Sequence, residues 1–211
     1  MTPEDWLVSQ PWAGQDAYII GGGSSLKNFD WNQLITLNTI GCNDAYKHGQ
    51  AICKICVFGD LSWWQHHGKH LADFTGIVVS NACAMASEKP KWVHYYERRY
   101  DGLSRTELCW AGHTGSSAIN LALILGAKNI YLLGFDMGII NGETNWHNEV
   151  IHPNAVLPSS YQKFLSRWNH VTRDLNRMFP NRSVINVSDC SKLPDIETIS
   201  ATKFWAEKGL S

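Results

Sequence analysis

Short apolar runs rich in β-branched residues recur along the chain, each closed by glycine, asparagine, aspartate or serine. They are AYIIGG (17–22), NTIGCN (38–43), KICVFGD (54–60), GIVVSN (76–81), NIYLLGFD (129–136) and SVINVS (183–188). Apolar side chains at successive positions over so short a length predict strands buried on both faces, and so a parallel sheet. Helical patterns alternate with them. GSSAINLALILGAK (115–128) is apolar nearly all round, with Gly126 placed to end it. PSSYQKFLSRWNHVTRDLNRMF (158–179) puts Tyr161, Phe164, Leu165, Trp168, Val171, Leu175 and Met178 on one face, with Pro158 in the first turn. A last short helix is expected near 197–208.

This alternation predicts an α/β fold: a doubly wound, mostly parallel sheet with helices on both faces, in a single domain spanning 1–211. Such sheets bind ligands beyond the carboxyl ends of their strands, where strand order reverses. Small and polar residues collect at those ends. Gly21, Gly22, Gly23, Ser24 and Ser25 follow the first strand, Asn43 and Asp44 the second, Asp60 the third, and Asp136 follows YLLGF. GHTGSS (112–117) runs directly into the apolar helix. The glycine run matches neither the dinucleotide fingerprint nor a Walker loop; it reads equally as a tight turn or as backbone that a phosphate approaches. At the second bend Thr114 is the expected helix cap, and Gly115, Ser116 and Ser117 offer free N–H groups to an anion.

The connection 137–157 is long and reads as a lid-like loop carrying His147 and His152 beside Glu143 and Glu149. A histidine there suits general-base chemistry at neutral pH. WWQHHGKH (63–70) holds His66, His67 and His70, but too few carboxylates or cysteines flank them for a metal cluster.

Composition narrows the function classes. The net charge of −1 lacks the basic excess of a general nucleic-acid binder, though Lys89, Lys91, Arg98, Arg99 and Arg105 lie close together in the chain. No apolar run is long enough for a membrane span, and MTPEDWLVSQPW lacks a signal-peptide core, so a cytoplasmic address is expected. The six cysteines are scattered, and Cys53 and Cys56 sit in an apolar run that makes them buried strand residues rather than a redox or zinc pair. Ten tryptophans read as core and edge packing, or as stacking platforms for sugars or bases.

IIGGGSSL, GCNDAY, HTGSSAINLALILGAKNIYLLGFD and a histidine before an amphipathic helix together resemble the bacterial sialyltransferases of glycosyltransferase family 42. They equally resemble a wider Rossmann-like group of MptE-like diphosphokinases, flagellin-modifying Maf proteins and phage proteins. The resemblance implies a CMP- or UDP-linked nucleotide sugar held by Gly21, Gly22, Gly23, Ser25, Asn43, Thr114, Gly115 and Ser116. It also implies a base at His152, or else His147, and no required cofactor or metal. The acceptor hydroxyl would belong to a glycan, a protein or a modified nucleic-acid base, the last in a phage setting and against the overall charge. A homo-oligomer is compatible with the sequence. The wider group implies the alternatives: a diphosphokinase moving diphosphate from ATP to a pterin-like alcohol, with Mg2+ on Asp60 and Asp136, or a non-catalytic nucleotide-binding phage protein.

Overall fold

The computed structural model describes residues 3–87, 89–147 and 158–208. Each apolar run forms a strand: β1 (Asp16–Ile20), β2 (Thr39–Cys42), β3 (Ile55–Phe58), β4 (Ile77–Ser80), β8 (Asn129–Leu133) and β9 (Ser183–Val187). Four short strands were not evident as apolar runs: β5 (Val93–Tyr95), β6 (Arg98–Arg99), β7 (Leu108–Cys109) and β10 (Glu197–Ile199). The main sheet has eight strands in the order β10-β9-β8-β1-β2-β3-β4-β5, every pair parallel, and β6 pairs β7 separately. This is a doubly wound, Rossmann-like α/β architecture. Strand order reverses between β1 and β8, whose register runs from Asp16 opposite Asn129 to Ile20 opposite Leu133.

Alternate strand residues feed two apolar layers, as the period of two requires. Ala17, Ile19, Ile40, Val57, Val79, Ile130 and Leu132 pack with α1 (Pro3–Ser9), α3 (Thr114–Ile124) and α5 (Trp168–Met178). Tyr18, Ile20, Cys56, Phe58, Val78 and Leu133 pack with α2 (Leu61–Leu71) and α6 (Ala201–Glu207). Every residue of α3 is buried, as its all-round apolar pattern predicts. The helix closes through Leu125 into Gly126 at φ 92°, where the N–H of Ala127 reaches the carbonyl of Ala122 at 3.0 Å and that of Gly126 reaches Leu123 at 3.1 Å. That paired closure needs the left-handed residue glycine supplies.

Two expectations about helices are corrected. The single helix over 158–179 is two: α4 (Pro158–Ser166) and α5, parted at Arg167. The N–H of Arg167 bonds to Phe164 and that of His170 to Arg167, so the backbone tightens to three-residue spacing there. The stretch 197–208 divides into β10 and α6, because Glu197, Thr198 and Ile199 pair with Ile185, Asn186 and Val187 at the sheet edge.

Candidate functional site

A cavity of about 500 Å³ opens at the carboxyl ends of β1, β2, β3 and β8, over the switch point. Gly21, Gly22 and Gly23 form one wall, and Gly112, His113, Thr114 and Gly115 at the start of α3 form the facing one. Asn43 follows β2, Asp60 and Trp63 follow β3, and Phe135, Asp136 and Met137 follow β8; all line the same space. Thr144 and Asn145 of the long loop and Tyr161 and Phe164 of α4 complete it.

The glycine turn owes its composition to close approach rather than to unusual dihedrals. None of its three glycines has positive φ, and Gly23 sits at φ −62° and ψ 145°. A methyl group on Gly21 would lie 2.6 Å from the carbonyl oxygen of Gly134, and one on Gly23 would lie 2.5 Å from Asp136 Oδ2 and 2.6 Å from that same carbonyl. Gly22 differs: a methyl there meets no described atom within 4 Å, and the residue faces outward into open space. Ser25 serves the turn, not the open cavity. Its N–H donates to Asp136 Oδ2 at 2.9 Å and its hydroxyl to Oδ1 at 2.6 Å. Asp136 is therefore a buried brace between β8 and the glycine turn.

At the second bend the expected cap is replaced. His113, not Thr114, is the N-cap of α3: its Nδ1 accepts the N–H of Ser116 at 3.2 Å. Thr114 instead donates its hydroxyl to Asn43 Oδ1 at 3.2 Å, tying the bend to the end of β2. Asn43 holds φ 51°, a left-handed conformation that asparagine tolerates better than most residues. The Ser116 hydroxyl donates to the His113 carbonyl at 2.8 Å and accepts the N–H of Ala111 at 3.0 Å, which fixes the loop entering the helix. Burial depresses the His113 imidazole to about 4, so it is uncharged at neutral pH. Sequence reasoning passed over His113; its place immediately before Thr-Gly-Ser-Ser at a helix start was the available signal.

Asp44 is a hub behind the wall. Its Oδ1 accepts the indole N–H of Trp63 at 2.6 Å, and its Oδ2 lies 3.0 Å from Lys47 Nζ and 3.5 Å from His147 Nδ1. His67 Nε2 is 3.7 Å from Oδ1, while His67 Nδ1 meets the Tyr46 hydroxyl at 3.1 Å. Burial pushes the Asp44 carboxyl up, but the Trp63 hydrogen bond, His147 and Lys47 together hold it below the usual carboxylate range. Asp60 is open to the cavity; desolvation nonetheless pushes its carboxyl up, against the pull of Arg98.

The loop after β8 folds onto the glycine turn. Asn141 and Gly142, both with positive φ, make a tight hairpin in which Ile140 and Glu143 exchange backbone hydrogen bonds. Trp146 then donates its indole N–H to the carbonyl of Gly21 at 3.0 Å and its backbone N–H to that of Gly22 at 3.1 Å. Lys27 pairs with Glu143, and Tyr161 donates its hydroxyl to the Thr144 carbonyl. Of the two histidines expected to act as bases, His147 is placed beside Asp44, and His152 lies outside the described residues.

Other sequence candidates are engaged by the protein itself. Arg98 donates to the carbonyls of Asn81 and Gly59 and lies 4.1 Å over the Trp110 ring; Arg99 pairs with Glu107, and Arg105 bonds the Met178 carbonyl. Cys53 and Cys56 are buried free thiols, and burial pushes Cys53 up to about 12. Among the described residues no group of three or more His, Cys, Asp or Glu side chains is placed to hold a metal ion, the His66, His67 and His70 stretch included. None of their helices is long and apolar enough to cross a membrane.

Fold and site together define a Rossmann-like α/β protein with a glycine- and amide-lined crevice at its topological switch point, an arrangement consistent with a nucleotide-binding enzyme. No protein-family model, curated protein or solved structure matches the chain, so nothing ties it to the sialyltransferases or to the MptE-like, Maf or phage proteins.

Proposed function

We propose that the protein is a nucleotide-dependent transferase that takes its donor, a CMP- or UDP-linked sugar, in this crevice without needing a metal. One observation carries the reading: Gly22 and Gly115, from bends far apart in the chain, line the same cavity of about 500 Å³. The start of α3 offers N–H groups and the positive end of a helix dipole to a phosphate. Gly22 leaves its wall open for a ligand to approach the backbone. Gly21, Gly23, Ser25 and Asp136 act by shaping that wall, and Asn43 and Ser116 by fixing the facing one.

In this reading a loop histidine accepts the proton of the acceptor hydroxyl. The acceptor oxygen forms a bond to the anomeric carbon, and the bond from that carbon to the phosphate oxygen breaks. The nucleotide phosphate leaves with the electron pair, its charge met by the amides. Of the two loop histidines, His147 has Asp44 3.5 Å from its Nδ1, which can orient the ring and stabilise its charged form.

Calorimetric titration with CMP, UDP, ADP and ATP, each with and without magnesium, tests the reading. Metal-independent binding of CMP or UDP, weakened in Gly22→Ala, is the expected result. ATP binding that requires magnesium would replace it with the diphosphokinase, Asp60 and Asp136 then facing the cation. No binding of any nucleotide would end it.

A further inference from the structure

A second cavity, of about 560 Å³, opens at the amino ends of β3 and β4, at the opposite end of the sheet from the crevice. Small-molecule sites span roughly 300–1,000 Å³, so its size suits a ligand. The proposed function makes no use of it, and the inference stands apart from that reading. Trp6 of α1, Ile55 at the start of β3 and Leu125 after α3 are buried and line it. Trp12, Ile35 and Ile77 line it too, and both isoleucines are exposed. Apolar surface gathered in one concavity gains by being covered.

The side-chain polar groups left over at this cavity are donors. Gln50 and Lys54 are its polar lining residues among those described. Lys54 Nζ donates to the Ile35 carbonyl at 3.1 Å and to that of Leu37, which holds the ammonium beside one wall. An ammonium has three N–H groups, so one is left over. No carboxylate pairs with Lys54 among the described residues, and desolvation pulls its pKa below the ordinary lysine value. Gln50 Oε1 accepts the Thr75 hydroxyl at 3.1 Å, which leaves the amide NH2 without a partner among the described residues. The carbonyls of Trp6, Trp12, Ile35, Lys54 and Leu125 each already accept a hydrogen bond.

Trp12 narrows the choice further. Every other tryptophan packs on an aromatic ring, an imidazole or a guanidinium. Trp12 has no such partner among the described residues, although its ring is only half-buried.

We infer that this cavity binds a small aromatic carboxylic acid, its ring against Trp12, Ile35 and Ile77 and its carboxylate on the free N–H of Lys54, with Gln50 as a second donor. The ring supplies the partner that Trp12 lacks and covers the two isoleucines. The carboxylate supplies the acceptor that the donors lack, through a charge-assisted bond. A neutral aromatic of the same shape keeps the first gain and loses most of the second.

The probes are naphthylacetate and its uncharged amide, naphthylacetamide, measured by titration calorimetry at neutral pH. The acid is expected to bind the wild type about tenfold or more tightly than the amide. Lys54→Met keeps the apolar stem; it should bring the acid down to the level of the amide and leave the amide unchanged. Ala51→Trp places a bulky side chain on an exposed lining position and should weaken both. In proton–nitrogen spectra the Trp12 indole signal, identified by its absence in Trp12→Phe, should move with the acid. The Trp146 indole signal, at the crevice, should stay.

Four results would overturn the inference. They are no binding of either probe at millimolar concentration, equal binding of the two by the wild type, an undiminished preference for the acid in Lys54→Met, and a shift at Trp146 without one at Trp12. A concentration-dependent wild-type dimer in ultracentrifugation, abolished by Ala51→Trp, would replace the acid with a second copy of the chain. The comparison of acid with amide and the probe-induced shifts use the wild type, so they decide the matter even if Lys54→Met fails to fold.

Discussion

Single alanine substitutions along the glycine turn should have sharply unequal effects on stability. In Gly23→Ala the new methyl would sit 2.5 Å from Asp136 Oδ2 and 2.6 Å from the Gly134 carbonyl oxygen. The carbonyl belongs to the end of β8 and cannot swing aside, so the Asp136 side chain or the whole turn must shift. Overpacking of this kind costs roughly 1–3 kcal/mol. A shift of Asp136 also strains the two hydrogen bonds from Ser25, at 2.9 and 2.6 Å, each a bond to a charged group worth about 1.5–3 kcal/mol if lost. Partial loss brings the total to about 2–4 kcal/mol, a fall of roughly 5–15 °C in Tm for a chain of this size. Gly21→Ala meets backbone oxygens at 2.6 and 3.0 Å and should fall in the same range. Gly22→Ala meets no described atom within 4 Å and is not at positive φ, so it should be neutral or stabilising by up to about 1 kcal/mol. Thermal unfolding of the three variants, followed by circular dichroism without ligand, makes the comparison. If Gly23→Ala melts with the wild type, or Gly22→Ala falls as far as Gly23→Ala, the packing account of this turn is wrong.

Asp44 is held below the usual carboxylate range, so its share of stability should be full above about pH 5 and fade as pH falls through the unfolded and then the folded value. Urea midpoints between pH 3 and 7 should therefore slope less in Asp44→Asn than in the wild type, and parallel slopes would remove Asp44 from the account. Asp174 accepts the buried N–H of Leu103 at 3.1 Å and pairs with Arg173 and Arg177, so Asp174→Ala should lower stability by about 2–4 kcal/mol in a denaturant titration. Gly102→Ala should be at least as damaging, since its φ is 131° and a methyl would lie 1.9 Å from Asp174 Oδ2; a melting temperature near wild type contradicts this. A thiol-alkylating reagent should label exposed Cys83 first in the native protein and spare Cys42, Cys53, Cys56 and Cys109 until unfolding, as mass spectrometry of timed digests can show.

The strands that shape the crevice were legible because each is buried on both faces and so is apolar along most of its length. Edge strands lack that pattern. Glu197 and Thr198 of β10 are exposed, and β6 is a pair of arginines, so neither carries the apolar signature. The break at Arg167 was invisible because Tyr161, Phe164, Trp168 and Val171 keep helical spacing through it. The crevice itself could be foreseen from polar residues collecting after strands, but its internal bonding could not. A motif cannot reveal that Ser25 bonds Asp136 across 111 residues of chain, or that His113 rather than Thr114 caps α3. Asp44 was visible beside Asn43, yet its role depends on Trp63, Lys47 and His147, which only folding brings to it.

The complete burial of α3 has a consequence for how such a protein can diversify. Its first turn is anchored on all sides by a segment with no outward face, so the amides it presents cannot drift without disturbing both the sheet and α5. Change is easier in the hairpin at Asn141 and Gly142 and along the outer side of α4, which are open to solvent. Descendants of this chain should therefore keep this wall of the crevice fixed while trading the opposite rim freely.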